Sequence, residues 1–158
     1  MVMKLDIKKI LKNLAIPLLI GIIAGFLTRQ GVENFSINVE KPVFSPPPAL
    51  FPFVWTFLYI LMGISAYIIE KSPSSTQRNR ALILYYIQLF FNFLWSFIFF
   101  SFNNYLAAFI WIIVLLILII AITIEFYKIK PVAAYLMIPY ILWVAFATVL
   151  NFSIYLLN

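Results

Sequence analysis

Long apolar runs separated by short polar links dominate the pattern along this chain. Five of these runs approach or exceed the roughly 20 residues that an α-helix needs to cross a bilayer. Read from the sequence, they cover Ile10–Thr28, Ala49–Glu70, Asn79–Ser101, Tyr105–Tyr127 and Pro131–Leu157. Strands of a membrane β-barrel would instead alternate with a period of two over about 10 residues. The pattern therefore predicts an all-α integral membrane protein, a five-transmembrane-helix bundle that forms a single domain over residues 1–158.

The longest link between the runs, from Arg29 to Pro48, is interrupted by prolines. It contains Lys41-Pro42 and the run Pro46-Pro47-Pro48, which cannot continue a helix. We therefore expect this link to be extended or turned and to lie as a lid over one mouth of the bundle.

Composition supports a membrane protein and removes several classes of chemistry. Hydrophobic residues make up 65% of the chain, charged residues 10%, and the mean hydropathy is +1.07, so too few polar residues are present to cover a soluble globule. There is no cysteine and no histidine, which excludes disulfides, thiol catalysis, imidazole bases and axial haem ligation by those residues. No catalytic triad, phosphate loop or metal-ligand cluster occurs in the pattern, so nothing in it specifies an enzyme.

The basic residues predict the orientation of the spans. Of the eleven Lys and Arg, nine fall in the N-terminal tail and the second and fourth links, and two fall in the first link. This asymmetry predicts a cytoplasmic N-terminus and a C-terminus on the opposite side. Basic flanks beside membrane spans also account for the formal charge of +6 without nucleic acid as a partner. The short N-terminal tail favours a prokaryotic cell membrane, and no small-x-small cleavage site follows Leu27 that would indicate a signal peptide.

Three of the predicted spans carry polar and aromatic residues at helical spacing, so that each set shares one helix face. These sets are Trp55, Tyr59 and Ala66 on the second span, Gln88, Asn92, Trp95 and Ser96 on the third, and Tyr140, Trp143, Ala147 and Asn151 on the fifth. Polar groups in a bilayer are expected to face the bundle interior. The three stripes could line a pocket for a flat, largely apolar ligand. Equally, they could serve only to hold the helices together.

Other residues within the spans carry local expectations. Pro139 removes a backbone donor from the fifth span and should bend it. Gly21 and Gly25 stand at GxxxG spacing, which permits close helix contact within the chain or between two chains. Glu125 should form an ion pair with Lys128, three residues further on.

Several spaced motifs occur in an order that resembles one known family. They are Lys41-Pro42-Val43-Phe44-Ser45-Pro46-Pro47, then Phe51-Pro52-Phe53-Val54-Trp55-Thr56-Phe57-Leu58-Tyr59 with Met62-Gly63, then Gln88, Asn92, Trp95 and Ser96, and finally Pro139-Tyr140, Trp143, Phe146-Ala147 and Leu150-Asn151. This set is similar to the signature of the TspO/translocator protein family, also called peripheral-type benzodiazepine receptors or tryptophan-rich sensory proteins.

The resemblance implies a five-helix bundle, often a homodimer, that binds porphyrins and other tetrapyrroles in a pocket among the helices. It implies a receptor or sensor for such small hydrophobic ligands, with no obligatory cofactor. Transport of the ligand and light-dependent breakdown of porphyrin are the alternatives. Carried over to this sequence, the resemblance implies that the pocket is lined by Pro46, Trp55, Tyr59, Asn92, Trp95, Trp143, Ala147 and Leu150.

The chain departs from the family pattern in the first link. Members usually carry a Trp-Tyr pair before the Lys-Pro motif and a Trp shortly after it, whereas this chain has Phe35-Ser36 and Phe44. The animal cholesterol motif needs a basic residue after a Tyr near the C-terminus. Here Tyr155 is followed only by Leu156, Leu157 and Asn158, so the resemblance does not extend to cholesterol recognition.

Overall fold

Six α-helices account for most of the residues described by the computed structural model, which are residues 4–158. They are α1 (Ile7–Leu27), α2 (Arg29–Asn38), α3 (Leu50–Glu70), α4 (Thr76–Ser96), α5 (Tyr105–Ile129) and α6 (Pro131–Leu157). A π-helical segment, Phe97–Ser101, continues α4. All of these helices except α2 are long and apolar enough to cross a membrane, with α4 and its π-helical segment counted together. The predicted fold class is confirmed.

Polar side chains cap three of the membrane-spanning helices at their N-terminal ends. Asp6 before α1, Ser75 before α4 and Asn104 before α5 each accept a hydrogen bond from the backbone N–H three residues further on, at 3.2, 3.0 and 3.0 Å. Such caps satisfy a donor that the first helical turn leaves unpaired. The predicted starts of the first and third spans, Ile10 and Asn79, were therefore three residues too late, because each first turn is mostly polar.

The expectation that the whole link from Arg29 to Pro48 is extended or turned was wrong for its first ten residues, which form α2. The prolines of this link all follow α2, so nothing in that stretch blocks a helix. Phe35 of α2 packs against Phe99 and Phe100 of the π-helical segment, with ring centroids 5.3 and 5.5 Å apart. At Gly31 a Cβ atom would overlap the Phe100 carbonyl. Packing against the π-helical segment thus favours the helix, and only the following segment, residues 39–49, is irregular.

The five long helices form a closed ring. α3 packs between α1 and α6, α5 packs between α6 and α4, and α4 also contacts α1. A largely apolar core fills the ring, and a buried hydrogen bond from Ser65 Oγ to the Ala133 carbonyl, 2.7 Å long, joins α3 to α6. This order makes α3 and α6 direct neighbours, although they are the second and fifth spans in sequence.

Ion pairs bring the charged ends of the helices together. Lys12 of α1 binds Glu70 at the end of α3, with 2.6 Å between Nζ and Oε1. Arg80 of α4 binds Glu125 of α5 at 2.9 Å, and Lys128 binds the same carboxylate at 3.1 Å, which confirms the predicted pair. We call this side of the bundle the basic end, because the chain places nine of its eleven Lys and Arg there. The opposite side, which carries α2 and the 39–49 segment, is the loop end.

Gly63 allows α1 and α3 to approach at backbone distance. A Cβ atom at this position would lie 2.6 Å from the Asn13 carbonyl oxygen and 3.0 Å from Leu14 Cα. Backbone atoms cannot rotate away as a side chain can, so the two helices would have to separate.

The predicted GxxxG pair on α1 divides into one packed and one open position. A Cβ atom at Gly21 would lie 2.5 Å from the Tyr59 ring, so this glycine makes its close contact within the chain. Nothing lies within 4 Å of the corresponding position at Gly25. Gly25 therefore serves as a matched control for substitutions at packed glycines.

We expect Gly63→Ala to lower the free energy of unfolding by about 1–3 kcal/mol, because the added methyl group forces apart two packed backbones. Gly25→Ala should not lower it and should raise it by up to about 1 kcal/mol, because the methyl group enters open space and alanine favours a helix more than glycine does. Thermal unfolding of both variants in the same detergent micelles checks the prediction. Equal stability of the two variants would contradict it.

Candidate functional site

Four polar side chains from three helices bind one another inside the bundle. Tyr59 Oη of α3 donates to Asn92 Oδ1 of α4, Asn92 Nδ2 donates to Tyr140 Oη of α6, and Tyr140 Oη donates to Gln88 Oε1, each at 2.8 Å. All four residues are buried. The inward orientation predicted for Gln88 and Asn92 is confirmed. These four residues, which we call the polar network, join α3, α4 and α6, and Gln88 Nε2 also donates to Met62 Sδ of α3 at 3.7 Å.

A second polar contact lies nearer the loop end. Trp95 Nε1 donates to Asn151 Oδ1 at 3.2 Å, and Asn151 Nδ2 donates to the Tyr105 carbonyl at 2.9 Å, so α4, α6 and α5 are joined. The Trp95 ring stacks on Phe99 with centroids 4.9 Å apart. Gln88, Asn92, Trp95 and Phe99 follow one another at spacings of four, three and four, which places them along one face of the same helix.

An apolar cavity of about 460 Å³ lies between α3 and α6. It is lined by Pro46, Val54, Phe57, Leu58, Pro139, Leu142, Trp143 and Phe146, none of which is charged. Phe57 is 56% and Leu142 65% exposed, so the cavity is a groove that opens on the outer surface of the ring. We call it the α3–α6 groove. Its volume falls within the range of small-molecule sites, and its lining is apolar.

Helical spacing builds both walls of the α3–α6 groove. Val54, Phe57 and Leu58 stand at positions i, i+3 and i+4 of α3, and four lining residues of α6 stand at i, i+3, i+4 and i+7 from Pro139. Because α3 and α6 are neighbours in the ring, the two stripes face each other. Pro46 from the 39–49 segment closes the loop end of the groove.

Hydrogen bonds fasten the start of the 39–49 segment to Asn158, which follows α6, and to the C-terminal end of α2. Asn158 Nδ2 donates to the Glu40 carbonyl at 2.9 Å, and the Glu40 N–H donates to Asn158 Oδ1 at 3.1 Å. Lys41 Nζ donates to the Ser36 and Val39 carbonyls, each at 3.1 Å. The Lys41 ammonium group therefore caps the C-terminal end of α2. Further along, the Phe44 ring meets the Phe146 ring edge-on, with centroids 6.3 Å apart.

The structure distributes the eight residues implied by the family resemblance over adjacent positions. Pro46 and Trp143 line the α3–α6 groove, and Tyr59 and Asn92 belong to the polar network. Trp95 makes the second polar contact, and Trp55 packs between two tyrosine rings. Ala147 and Leu150 are buried in the apolar core. Their part in ligand binding stays a prediction.

Most residues that line the α3–α6 groove were not among those eight. They are Val54, Phe57, Leu58, Pro139, Leu142 and Phe146. The predicted stripes consist of polar and aromatic side chains, whereas most of the groove is lined by the apolar residues that directly precede them in α3 and α6. The spacing of three and four around Trp143 was the available signal, but lipid-facing positions repeat with the same period. Pro139, for which a bend was predicted, lies within α6 and lines the groove.

Among the described residues that line the α3–α6 groove, Trp143 has the one buried polar side-chain atom without a hydrogen-bond partner. Its indole Nε1 is buried and has no protein partner. The Phe51 and Phe146 rings pack around the indole, with centroids 5.7 and 5.6 Å away. A buried donor without an acceptor costs free energy, and an acceptor on a bound molecule would recover it.

Comparisons with known proteins cover nearly the whole bundle. A sequence model described as the TspO/MBR family matches residues 13–157. The "Tryptophan-rich protein TspO" of Archaeoglobus fulgidus is 40% identical over 154 residues, which is 98% of this chain and 99% of the relative. The "Tryptophan-rich sensory protein" of Cereibacter sphaeroides is 36% identical over 121 residues, 77% of this chain and 75% of the relative. The human "Translocator protein" is 32% identical over 132 residues, 82% of this chain and 78% of the relative.

We expect Tyr140→Phe to destabilise the bundle by about 1–2 kcal/mol, because it leaves Asn92 without an acceptor and Gln88 without a donor. Tyr155→Phe is the matched control, since Tyr155 is an exposed tyrosine of the same helix outside the polar network. Thermal unfolding in detergent micelles measures both. An equally small effect of the two substitutions would show that the polar network does not hold the helices.

Proposed function

Because this chain belongs to the TspO/MBR family, whose members are multi-pass membrane proteins, we propose that it is a membrane receptor or sensor for tetrapyrroles such as porphyrins. The ligand would occupy the α3–α6 groove. One observation carries this assignment: an apolar, aromatic groove of about 460 Å³ is lined by Trp143, whose indole N–H is buried and lacks an acceptor. The name of the Cereibacter sphaeroides relative, which includes the word "sensory", supports a sensing role.

The lining of the α3–α6 groove suits a flat, conjugated macrocycle. Phe57, Trp143 and Phe146 present ring faces or edges to the groove, and each aromatic contact contributes about 0.5–1.5 kcal/mol beyond the area it buries. The indole N–H of Trp143 is buried beside the groove, and in this proposal it donates to a peripheral oxygen or ring nitrogen of the ligand once the indole turns towards it. Aromatic packing would then supply affinity, and the single donor would fix the orientation.

The surroundings of the groove favour entry from the bilayer. Phe57 and Leu142 are exposed on the outer surface of the ring, where acyl chains would contact them. Porphyrins partition into membranes through their apolar macrocycle, so the ligand would already be dissolved beside the opening. At the loop end, Phe44 occupies the position where the family usually has a tryptophan. Its ring packs on Phe146, so an aromatic ring is kept beside the groove.

The distribution of charge supports an orientation for this site. We infer that the basic end faces the cytoplasm of a prokaryotic cell and that the loop end faces the opposite side. The α3–α6 groove would then lie near the outer leaflet. Its lid, the 39–49 segment, would be in contact with the external medium.

We expect Trp143→Phe to weaken protoporphyrin IX binding about fivefold, because it removes the indole donor and keeps an aromatic ring. Trp111→Phe is the matched control: the Trp111 indole donates to the Phe91 carbonyl at 2.8 Å, and this residue does not line the groove. Titration followed by porphyrin absorbance in detergent micelles measures both affinities without relying on protein fluorescence. A fivefold loss in both variants, or in neither, would rule out this role for the indole.

Filling the groove gives a sharper expectation. Val54→Trp places a large ring between the two walls and should reduce protoporphyrin affinity more than tenfold. Val114→Trp is the control, since Val114 is a 40% exposed residue on the outer face of α5. If Val54→Trp folds and still binds with the affinity of the unmodified protein, the ligand does not occupy the α3–α6 groove.

A further inference from the structure

A second apolar groove lies on the other side of α6, near the basic end. It has a volume of about 230 Å³ and runs between α5 and α6. Its lining residues are Thr123, Ile124, Tyr127, Ala134, Tyr135 and Ile138. We call it the α5–α6 groove. It is separate from the α3–α6 groove, with which it shares no lining residue.

The α5–α6 groove has a narrow base and exposed walls. Ala134 is only 3% exposed, whereas Tyr127 and Tyr135 are 53% and 57% exposed. The small alanine therefore leaves a trench between larger side chains on two adjacent helices. The Thr123 hydroxyl donates to the Ile119 carbonyl of its own helix at 2.7 Å, so it presents little polarity to the trench.

The end of this trench nearest the basic end is amphipathic. Tyr127 and Tyr135 meet there, with ring centroids 6.2 Å apart in an edge-on arrangement, and each carries a hydroxyl group. Tyrosine at the border between hydrocarbon and water typically directs its ring into the apolar region and its hydroxyl towards headgroups. The α5–α6 groove thus offers an apolar trench that ends in two phenol groups, which matches the order of an acyl chain and a headgroup.

Positive charge surrounds the same end of the groove. Lys128 and Lys130 flank the turn between α5 and α6, directly after Tyr127. The one carboxylate on α5 and α6, Glu125, is shared by Arg80 at 2.9 Å and Lys128 at 3.1 Å. Within residues 4–158, Lys130 forms no ion pair. The local balance is therefore positive, and one ammonium group has no protein carboxylate to neutralise it.

We propose that the α5–α6 groove binds one anionic phospholipid. An acyl chain lies in the trench over Ala134, and the phosphate group is bound by Lys130 together with the Tyr127 and Tyr135 hydroxyls. Charge complementarity favours this occupant over a zwitterionic lipid, because a choline or ethanolamine group would bring a further positive charge to a positive surface. The side chains of α5 and α6 form this site independently of any ligand in the α3–α6 groove.

Native mass spectrometry of the full chain in detergent micelles tests the proposal, with phosphatidylglycerol and phosphatidylcholine of identical acyl chains as the two probes. We expect one phosphatidylglycerol molecule to remain bound at activation energies that remove phosphatidylcholine, with at least fivefold higher occupancy. Equal occupancy by the two lipids would overturn selection by charge.

Two pairs of variants locate the binding. Ile124→Trp should fill the trench and lower phosphatidylglycerol occupancy several-fold, whereas Ile117→Trp, the same change on the same face of α5 two turns away, should leave it unchanged. Unaltered occupancy in a folded Ile124→Trp protein would overturn the proposal. If that variant does not fold, Tyr135→Ala at the opposite wall replaces it with the same expected loss.

The second pair tests the headgroup contact. Lys130→Gln should reduce the preference for phosphatidylglycerol, and Lys8→Gln, which removes one exposed lysine from the N-terminal part of the basic end, should not. Equal loss in both variants would show that the lipid responds to the overall charge of the basic end and not to this groove.

Discussion

In hydrocarbon a polar side chain finds no water, so its hydrogen bonds must come from the protein itself. The polar network meets this constraint with four side chains from three helices, and every bond within it is 2.8 Å long. Because Asn92 is bound on one side by Tyr59 and on the other by Tyr140, the network holds α3 and α6 at fixed positions relative to α4. The α3–α6 groove lies between those same two helices. The interaction that holds the bundle together therefore also sets the distance between the walls of the candidate site.

Much of the fold could be predicted from the sequence, because the bilayer imposes simple requirements on length and polarity. The five spans followed from apolar runs, and the grouping of basic residues at one end followed from their positions in the links. The sequence pattern missed α2, because the prolines further along the same link indicated an irregular segment. What makes α2 helical is contact with Phe99 and Phe100, more than 60 residues away. A local pattern does not contain that contact.

The candidate site was harder to predict for a related reason. Helical spacing shows which side chains share a face, but it does not show which neighbouring helix that face meets. The polar stripes were read either as the lining of a pocket or as contacts between helices. In the structure Asn92 and Tyr59 are bound to partners in the interior, while Trp143 reaches the groove on the adjacent face. In the sequence, apolar positions such as Phe57 and Leu142 look like lipid-facing positions. Only the order of helices in the ring shows that they line a groove between α3 and α6.

The double hydrogen bond between Asn158 and Glu40 has a mechanical consequence. α6 supplies one wall of the α3–α6 groove, and Asn158, directly after α6, is hydrogen-bonded to the segment that carries Pro46 at the loop end of the groove. The 39–49 segment is thus joined to the C-terminal end of α6 by two hydrogen bonds. Both would have to break before the segment could move away from α6. The α3–α6 groove opens on the outer surface of the ring without breaking these two hydrogen bonds, whereas an opening past the 39–49 segment would require breaking both.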